Sequence, residues 1–398
     1  MNQLSEKVAV LSPSETFAIA QKSNELKIQG FDVIDMSVGE PDFATPDHIK
    51  LAAKQAIDNN FSFYSPISGF LDLRMAICDK LKNENGLEYL PSQIVVSNGA
   101  KQSLCNVILS LVDKGDEVII PAPCWVSYPE MVKLAGGNPL ILPTDVSQDF
   151  KITPARLEGA IMSNTKALIL CSPSNPTGSV YTREELQALV DVLKKYPNVY
   201  VISDEIYEHI NYIGKHESIA QFESIRNRVI IINGVSKGYA MTGWRIGWMA
   251  APQWIASACN LLQGQYTSGA CSISQKAAVA AYTGDQTCVN EMRAVFEQRR
   301  NLIVSLLGEI PDVSVNVPMG AFYVLADCKN YLGKSPNGRL IYNTAAELAL
   351  YLLEEAQVAC VGGDAFGAPG YIRFSYATSG ENIVKAVKRV KEAFGKLK

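Results

Sequence analysis

The chain has 398 residues, of which 47% are hydrophobic and 19% charged, with a formal net charge of −4 at neutral pH. This length exceeds what one compact core usually holds, so we expect one large and one smaller domain. We predict a cytoplasmic protein without nucleic-acid or membrane partners. The charge is nearly balanced, the amino terminus lacks the layout of a signal peptide, and no run of 18 apolar residues occurs.

The first 86 residues predict helices separated by two loops. A helix is predicted over 14–29, and a Gly-Glu-Pro turn at 39–41 follows a short apolar stretch. A turn with so little side-chain bulk is suited to lining a site. The pattern of 47–86 is helical except at 61–69, a loop that contains aromatic residues, proline and glycine. Tyr64 in this loop either binds a phosphate or packs, and the residue alone favours packing.

Strand-like and helix-like patterns alternate from about 94 to 249, which predicts a mostly parallel, doubly wound α/β sheet. The predicted strands begin at Ile94 or cover 117–120, 167–171, 199–203 and 229–232. We interpret residues 139–165 as connecting structure. Because polar residues follow each strand, and the carboxyl ends of such strands meet at one crevice, we expect a ligand site there.

Three of these strand ends indicate particular chemistry. The small-residue turn at 97–102 begins a helix, whose free amides can hold a phosphate. Trp125 follows the second strand among prolines, where it either stacks on a flat ring or fills the core. Lys237 follows four consecutive β-branched residues by a few positions. In a partly dry pocket its amine loses its proton easily and can form a Schiff base, although a solvated lysine in a Gly-rich loop is the alternative.

From residue 252 onward the pattern predicts a smaller α+β domain. Helices are predicted within 252–308 and near 345–355, and strands within 313–329 (two, around Met319-Gly320), 358–361 and 371–376. Apolar residues at 383, 387, 390 and 394 predict a closing surface helix. We divide the chain into an N-terminal segment that joins the small domain (1–46), a large domain (47–290) and a small C-terminal domain (291–398).

The sequence argues against a disulfide framework, a metal site and a nucleotide-binding loop. The nine cysteines are scattered and never spaced as C-x-x-C, a distribution typical of reduced thiols. None of the three histidines stands in a metal-binding motif, so we expect no metal. No G-x-G-x-x-G follows a strand, and the candidate phosphate-loop ending at 333–335 has Cys328 where its first glycine should be.

The remaining features are a lysine able to bind an aldehyde, a phosphate cradle, an aromatic plate and an acid, Asp204, which directly follows the predicted strand at 199–203. Pyridoxal phosphate requires this combination. The lysine holds the aldehyde, the acid keeps the pyridine nitrogen protonated, and backbone amides with an arginine bind the phosphate. We therefore predict an enzyme that depends on pyridoxal phosphate.

Over essentially its whole length the sequence resembles the fold-type I, class I aminotransferases, in particular the bacterial-type aspartate aminotransferases of the Iβ subgroup. Eight motifs stand in the family's order: S-P-S-E-T-F-A-I at 12–19, V-G-E-P-D-F at 38–43, S-N-G-A-K-Q at 97–102, C-W-V-S-Y-P-E at 124–130, S-N-P-T-G at 174–178, S-D-E-I-Y-E at 203–208, S-K-G-Y-A-M-T-G-W-R-I-G at 236–247 and R-F-S-Y-A-T-S at 373–379. The resemblance implies transamination between aspartate and 2-oxoglutarate by a ping-pong mechanism through a Schiff base on Lys237.

The resemblance also implies a role for each matching residue. Catalysis is implied for Lys237, Asp204 and Tyr207. Cofactor contacts are implied for Gly99, Ala100, Lys101, Trp125, Asn175, Asp204, Tyr207, Ser236, Lys237 and Arg245, and for Tyr64, which would reach the partner's phosphate in a homodimer with shared active sites. Substrate contacts are implied for Gly39, Thr16, Lys101, Trp125, Asn175 and Arg373.

Some departures from the family leave the substrate open. Gly234 stands where some relatives have a phosphate-binding serine, so Ser236 is the substitute, and no arginine for the distal carboxylate can be assigned to a partner subunit. Thr16 and Lys101 match positions tied to recognition of a second carboxylate, which favours aspartate or glutamate with 2-oxo acid partners. The same pair fits prephenate, so a dual aspartate/prephenate enzyme is an alternative. An aromatic aminotransferase and a C–S lyase are others, and a lyase would leave both residues idle.

Overall fold

The computed structural model describes residues 4–336 and 341–398, so the first three residues of the predicted N-terminal segment lie outside it. Its β-strands are β1 (Ile34–Asp35), β2 (Ile94–Asn98), β3 (Glu117–Ala122), β4 (Asn138–Pro143), β5 (Thr165–Cys171), β6 (Tyr200–Asp204), β7 (Val229–Gly234), β8 (Ile246–Ala250), β9 (Ser314–Val315), β10 (Tyr323–Asp327), β11 (Val358–Ala359), β12 (Val361–Gly362) and β13 (Tyr371–Ser375). Its α-helices are α1 (Glu6–Ala9), α2 (Glu15–Ile28), α3 (Asp47–Asp58), α4 (Leu71–Lys80), α5 (Ala100–Leu111), α6 (Ser127–Ala135), α7 (Pro154–Ala160), α8 (Arg183–Leu193), α9 (Gln253–Tyr266), α10 (Ser272–Thr283), α11 (Thr287–Gly308), α12 (Ala345–Glu355) and α13 (Gly380–Phe394).

Within the described part of the chain, seven strands form the central sheet, in the order β2-β8-β7-β6-β5-β3-β4. Neighbouring strands from β7 to β4 are parallel, whereas β8 runs antiparallel to both β2 and β7. The mostly parallel, doubly wound sheet predicted from the sequence is therefore confirmed.

Helices cover both faces of this sheet, because its strands bury side chains in two directions. Every residue of β7 is buried. Ile231 packs in an apolar layer with α3, α8 and α10, whereas Ile230 and Ile232 pack in a second layer with α5 and α9. With both faces occupied, the carboxyl edge of the sheet is the place left for polar side chains.

A second sheet is antiparallel and has the order β12-β13-β10-β9, while β1 pairs in parallel with β11. The four apolar positions predicted for the closing helix, Ile383, Val387, Val390 and Phe394, are all buried and share a core with α11. Helix α2 is tied to this part of the chain, because Ser23 Oγ donates to Asp35 Oδ2 (3.0 Å) and Lys22 Nζ lies 2.6 Å from Glu354 Oε1.

The interpretation of 139–165 as connecting structure is wrong. This stretch contains α7 and almost all of β4, an edge strand of the central sheet. Strand β4 carries prolines near its start and at its end, and proline is tolerated at a sheet edge but argues against a strand in the sequence. The first of the two strands predicted around Met319 is also shorter than expected, since β9 has only two residues.

The predicted division at residue 290 falls inside helix α11, and the domain bounds remain a prediction. In the part of the chain that the structure describes, no helix is long and apolar enough to cross a membrane.

Candidate active site

The predicted site residues meet in one cavity of about 550 Å³ at the carboxyl edge of the central sheet. Its lining includes Thr16, Gly39, Ala100, Lys101, Trp125, Asn175, Asp204, Tyr207, Ser236, Lys237, Arg245 and Arg373. Gly99 is not part of this lining, but it directly precedes Ala100, which is. Tyr64 lies outside it and is 98% exposed. The structure therefore brings together every predicted residue except Tyr64.

Lys237 lies just beyond the buried strand β7, and its amine points across the cavity. Its Nζ donates a hydrogen bond to the backbone oxygen of Gly39 (2.5 Å) and lies 5.9 Å from the ring centroid of Tyr207. Burial lowers the pKa of Lys237 to about 8, and the nearby cations Arg245 and Arg373 act in the same direction. At pH 7 about a tenth of this amine is thus neutral, far more than for a solvated lysine, and able to act as a base or nucleophile.

Asp204 ends strand β6 and is 3% exposed. Its Oδ2 accepts a hydrogen bond from the hydroxyl of Tyr128 (2.6 Å), and its Oδ1 accepts one from the amide of Ile206 (3.3 Å). Burial raises the pKa of Asp204 to about 6 despite these donors. Among the described residues no cationic side chain lies within 4.0 Å of it, so the carboxylate is poised to receive a cation from a ligand.

A cradle of backbone amides lies where α5 begins. The amides of Ala100 and Lys101 occupy the first turn of the helix, where no preceding carbonyl of the same helix can accept from them. Gly99 has φ +80°, and a Cβ at this position would lie 2.3 Å from Arg245 Nη2. Gly247 pairs with Ser97, and a Cβ there would lie 2.1 Å from the nitrogen of Ala100. The two glycines thus permit an arginine, a helix start and a strand to converge on one anion-binding position.

Arg245 contributes the positive charge of this cradle. It adopts φ +58°, and among the described residues its guanidinium donates only to backbone oxygens, those of Thr242 (2.8 Å) and Asn98 (3.2 Å). Carbonyl acceptors hold the side chain in place without neutralising it. The charge therefore remains available to a phosphate.

Arg373 is a second cation without a carboxylate partner within the described residues. It lies on β13 and is 2% exposed. Its Nη1 donates to Asn175 Oδ1 (2.9 Å) and its Nη2 to the backbone oxygen of Ser37 (2.5 Å), whereas its Nε finds no hydrogen-bond partner in residues 4–336 and 341–398. A buried guanidinium with a free donor is costly unless an anion binds to it.

Three residues that complete this geometry were not assigned roles from the sequence: Tyr128, Tyr323 and Ser37. The hydroxyl of Tyr323 lies 2.9 Å from that of Tyr207, and a Cβ on Gly39 would lie 2.3 Å from it. Tyr128 belongs to the C-W-V-S-Y-P-E motif, which was the available signal for it. Nothing in the local sequence distinguishes Tyr323, because an aromatic residue in an apolar strand is expected to belong to the hydrophobic core.

These groups fit pyridoxal phosphate. The amide cradle with Arg245 suits the phosphate, the uncompensated carboxylate of Asp204 suits a pyridinium nitrogen, and the low-pKa amine of Lys237 suits the aldehyde. Trp125, whose ring packs edge-on against Tyr128 at 5.4 Å, lines the same cavity and offers a flat surface.

Comparisons with known proteins agree with this fit. The family model described as aminotransferase class I and II matches residues 32–390. A Petunia hybrida protein named bifunctional aspartate aminotransferase and glutamate/aspartate-prephenate aminotransferase is 47% identical, over 99% of this chain and 83% of that protein. An aspartate/prephenate aminotransferase of Nitrosomonas europaea is 44% identical over 98% of each chain. The crystal structure of the Rhizobium meliloti aspartate aminotransferase, 40% identical, matches with a TM-score of 0.96 over 100% of both chains.

Proposed function

The chain belongs to the class I and II aminotransferases, which depend on pyridoxal phosphate, and we propose that it transfers an amino group between aspartate and 2-oxoglutarate. The observation that carries this proposal is the charge of the cavity. Arg373 and Lys101 both line the cavity that contains Lys237, and neither has a carboxylate partner within the described residues. Two available cations match the two carboxylates of aspartate, glutamate and their 2-oxo acids.

In this proposal Arg373 binds the α-carboxylate and fixes the substrate. Asn175 holds the guanidinium through Nη1, and the backbone oxygen of Ser37 holds it through Nη2. The Gly39 amide adds a donor beside the carboxylate, and Lys101 with Thr16 binds the distal carboxylate. One site of this kind accepts the amino acid and the 2-oxo acid in turn, as a ping-pong mechanism requires.

Lys237 carries the proton that transamination must move. Its neutral amine takes the proton from the substrate α-carbon, and burial supports this role because it keeps the pKa of Lys237 near 8. Pyridoxal phosphate, when bound, supplies the electron-accepting ring that makes this proton removable. The rings of Trp125, Tyr207 and Tyr323 line the same cavity, and a bound substrate would displace water from the space between them.

The remaining residues hold the cofactor. Asp204 binds the pyridine nitrogen, and Tyr207 and Asn175 donate to the ring oxygen. The phosphate is bound by Arg245, Ser236 and the amides of Gly99, Ala100 and Lys101. Tyr64, exposed and outside its own cavity, binds the phosphate of the partner subunit, so the functional unit is a homodimer.

The test is a half-reaction with a product readout. The purified holoenzyme is mixed with aspartate in the absence of any 2-oxo acid, and we expect about one oxaloacetate per active site. Addition of 2-oxoglutarate then yields glutamate and restores the capacity for a second turnover. Alanine, which lacks the distal carboxylate, is the control donor and should react far more slowly. Pyruvate release from cystathionine without an acceptor would support a C–S lyase instead, and faster reaction with tyrosine than with aspartate would support an aromatic aminotransferase.

A second activity, amination of prephenate, is supported by a specific observation. The Petunia hybrida and Nitrosomonas europaea relatives both carry prephenate in their names. Prephenate is a dicarboxylic 2-oxo acid, so the same two cations fit it. We expect the holoenzyme to consume prephenate when glutamate or aspartate is the donor. If no aminated prephenate is formed after extended incubation, this second activity is refuted, whereas the proposed aspartate reaction is not affected.

A further inference from the structure

The ring of Phe17 lies over the amine of Lys101. Lys101 Nζ is 6.0 Å from the centroid of Phe17 and 5.0 Å from the centroid of Trp125. Both rings line the catalytic cavity, and Phe17 is 70% exposed. We infer that Phe17 is a specificity-determining residue, whose ring, together with that of Trp125, holds the Lys101 ammonium where it selects substrates with a second carboxylate.

An aromatic partner suits this task better than an acidic one. A lysine has four rotatable bonds, and without a partner its ammonium would spread over many positions. A carboxylate would fix the ammonium but would also neutralise it and compete with the substrate. A ring attracts the cation through its quadrupole and leaves the charge available. Since no acidic side chain pairs with Lys101 in the described chain, the rings are the groups left to orient it.

The contribution of Phe17 is separable from that of the cofactor site. Phe17 lies on the first turn of α2, which is anchored to Asp35 and Glu354. Lys101 and Trp125 instead follow strands β2 and β3 of the central sheet. Phe17 therefore reaches Lys101 from across the cavity, and an exposed side chain of this kind can be changed without a large loss of stability.

The inference rests on the proposed function and is tested through the preference for aspartate over alanine. In Phe17→Leu the side chain stays apolar but loses its π face. We expect kcat/KM for aspartate to fall about two- to fivefold, the range of an exposed cation–π contact, while kcat/KM for alanine is unchanged. Phe17→Tyr, which keeps the ring, should keep the ratio. Phe31→Leu, the same change at an exposed phenylalanine outside the cavity, is the matched control.

A double-mutant cycle separates an effect through Lys101 from direct contact with substrate. In a Lys101→Met background, Phe17→Leu should no longer change the aspartate/alanine ratio. The inference is overturned if the parent prefers aspartate and Phe17→Leu leaves that ratio unchanged, or if the ratio falls equally in both backgrounds. A parent that shows no preference for aspartate over alanine refutes the proposed function itself, and this inference with it.

Discussion

Glu205 and His216 form a buried pair beside Asp204, and the substitution Glu205→Gln should destabilise the protein in a pH-dependent way. Their side chains are 2% and 5% exposed, and Glu205 Oε2 lies 3.1 Å from His216 Nε2. The other oxygen of Glu205 accepts hydrogen bonds from the hydroxyls of Ser203 (2.8 Å) and Ser218 (2.6 Å). The substitution keeps the shape of the side chain and removes its charge.

The sign of the pH dependence follows from His216. Burial alone lowers the pKa of His216, but the negative charges of Glu205 and Glu208 outweigh burial and the opposing charge of Lys80 and raise it. The folded pKa thus exceeds the unfolded value of about 6.5. The stabilisation from the pair is complete below that pH and is lost as pH rises through the folded pKa. Removing one partner of a buried pair costs about 3 kcal/mol, so we expect roughly this loss at pH 6 and a smaller one at pH 9.

The assay is urea unfolding of parent and variant at both pH values, followed by tryptophan fluorescence. Glu217→Gln is the matched control, since Glu217 forms an exposed pair with Arg183 (3.2 Å) that should contribute less than about 1 kcal/mol. An equal loss of stability at pH 6 and pH 9, or a loss no larger than that of the control, would refute the reasoning.

Three further substitutions or conditions test the site itself. Gly247→Ala should destabilise the fold by about 1–3 kcal/mol and weaken retention of pyridoxal phosphate, because the new Cβ would meet the backbone of Gly99 and Ala100. Thermal unfolding and the rate of cofactor dissociation measure the two effects. Gly159→Ala, whose Cβ would meet no atom within 4 Å, is the control. In Arg373→Lys the ammonium cannot donate to Asn175, Ser37 and a carboxylate in one plane. We therefore expect kcat/KM for aspartate to fall about ten- to hundredfold with the fold intact. A loss below threefold would contradict the role assigned to Arg373. Because the pKa of Lys237 is about 8, the rate at which the apoprotein captures pyridoxal phosphate should rise with pH and level off above that value; a flat absorbance-detected rate profile from pH 6 to 9 would contradict it, and Lys237→Arg should show no capture.

The position of the site could be predicted because it lies at strand ends. Residues such as Lys237 and Asp204 follow buried apolar runs, and a parallel sheet brings such ends together whatever lies between them. Periodicity alone did not assign Arg373, since it lies between Ile372 and Phe374 in a strand that reads as core. Its role came from the resemblance, although a charged residue at a buried strand position is itself a signal for an anion.

Contacts between distant segments could not be predicted in the same way. The hydroxyl pair of Tyr207 and Tyr323 joins residues 116 positions apart, and Lys101 meets Phe17 across the cavity. No local pattern encodes such distances. Strand β4 was not predicted for a different reason: its prolines argue against a strand in the sequence. Because β4 lies at an edge of the sheet, the backbone N–H that each proline lacks costs little there.

The pairing of Gly234 with Gly247 closes residues 235–245 into a loop whose two ends are fixed in the central sheet. Lys237 and Arg245 both lie on this loop, so its length sets the spacing between the amine and the phosphate cradle. One residue more or less would have to be absorbed within the loop or would shift β8 by one position. Such a shift would move Trp248 from one apolar layer of the sheet to the other and Met249 in the opposite direction. We therefore expect single-residue insertions here to abolish activity, whereas an insertion beside the exposed Gly214 should be tolerated. Activity measured across such an insertion series would show that chain length, as much as residue identity, is constrained in this part of the enzyme.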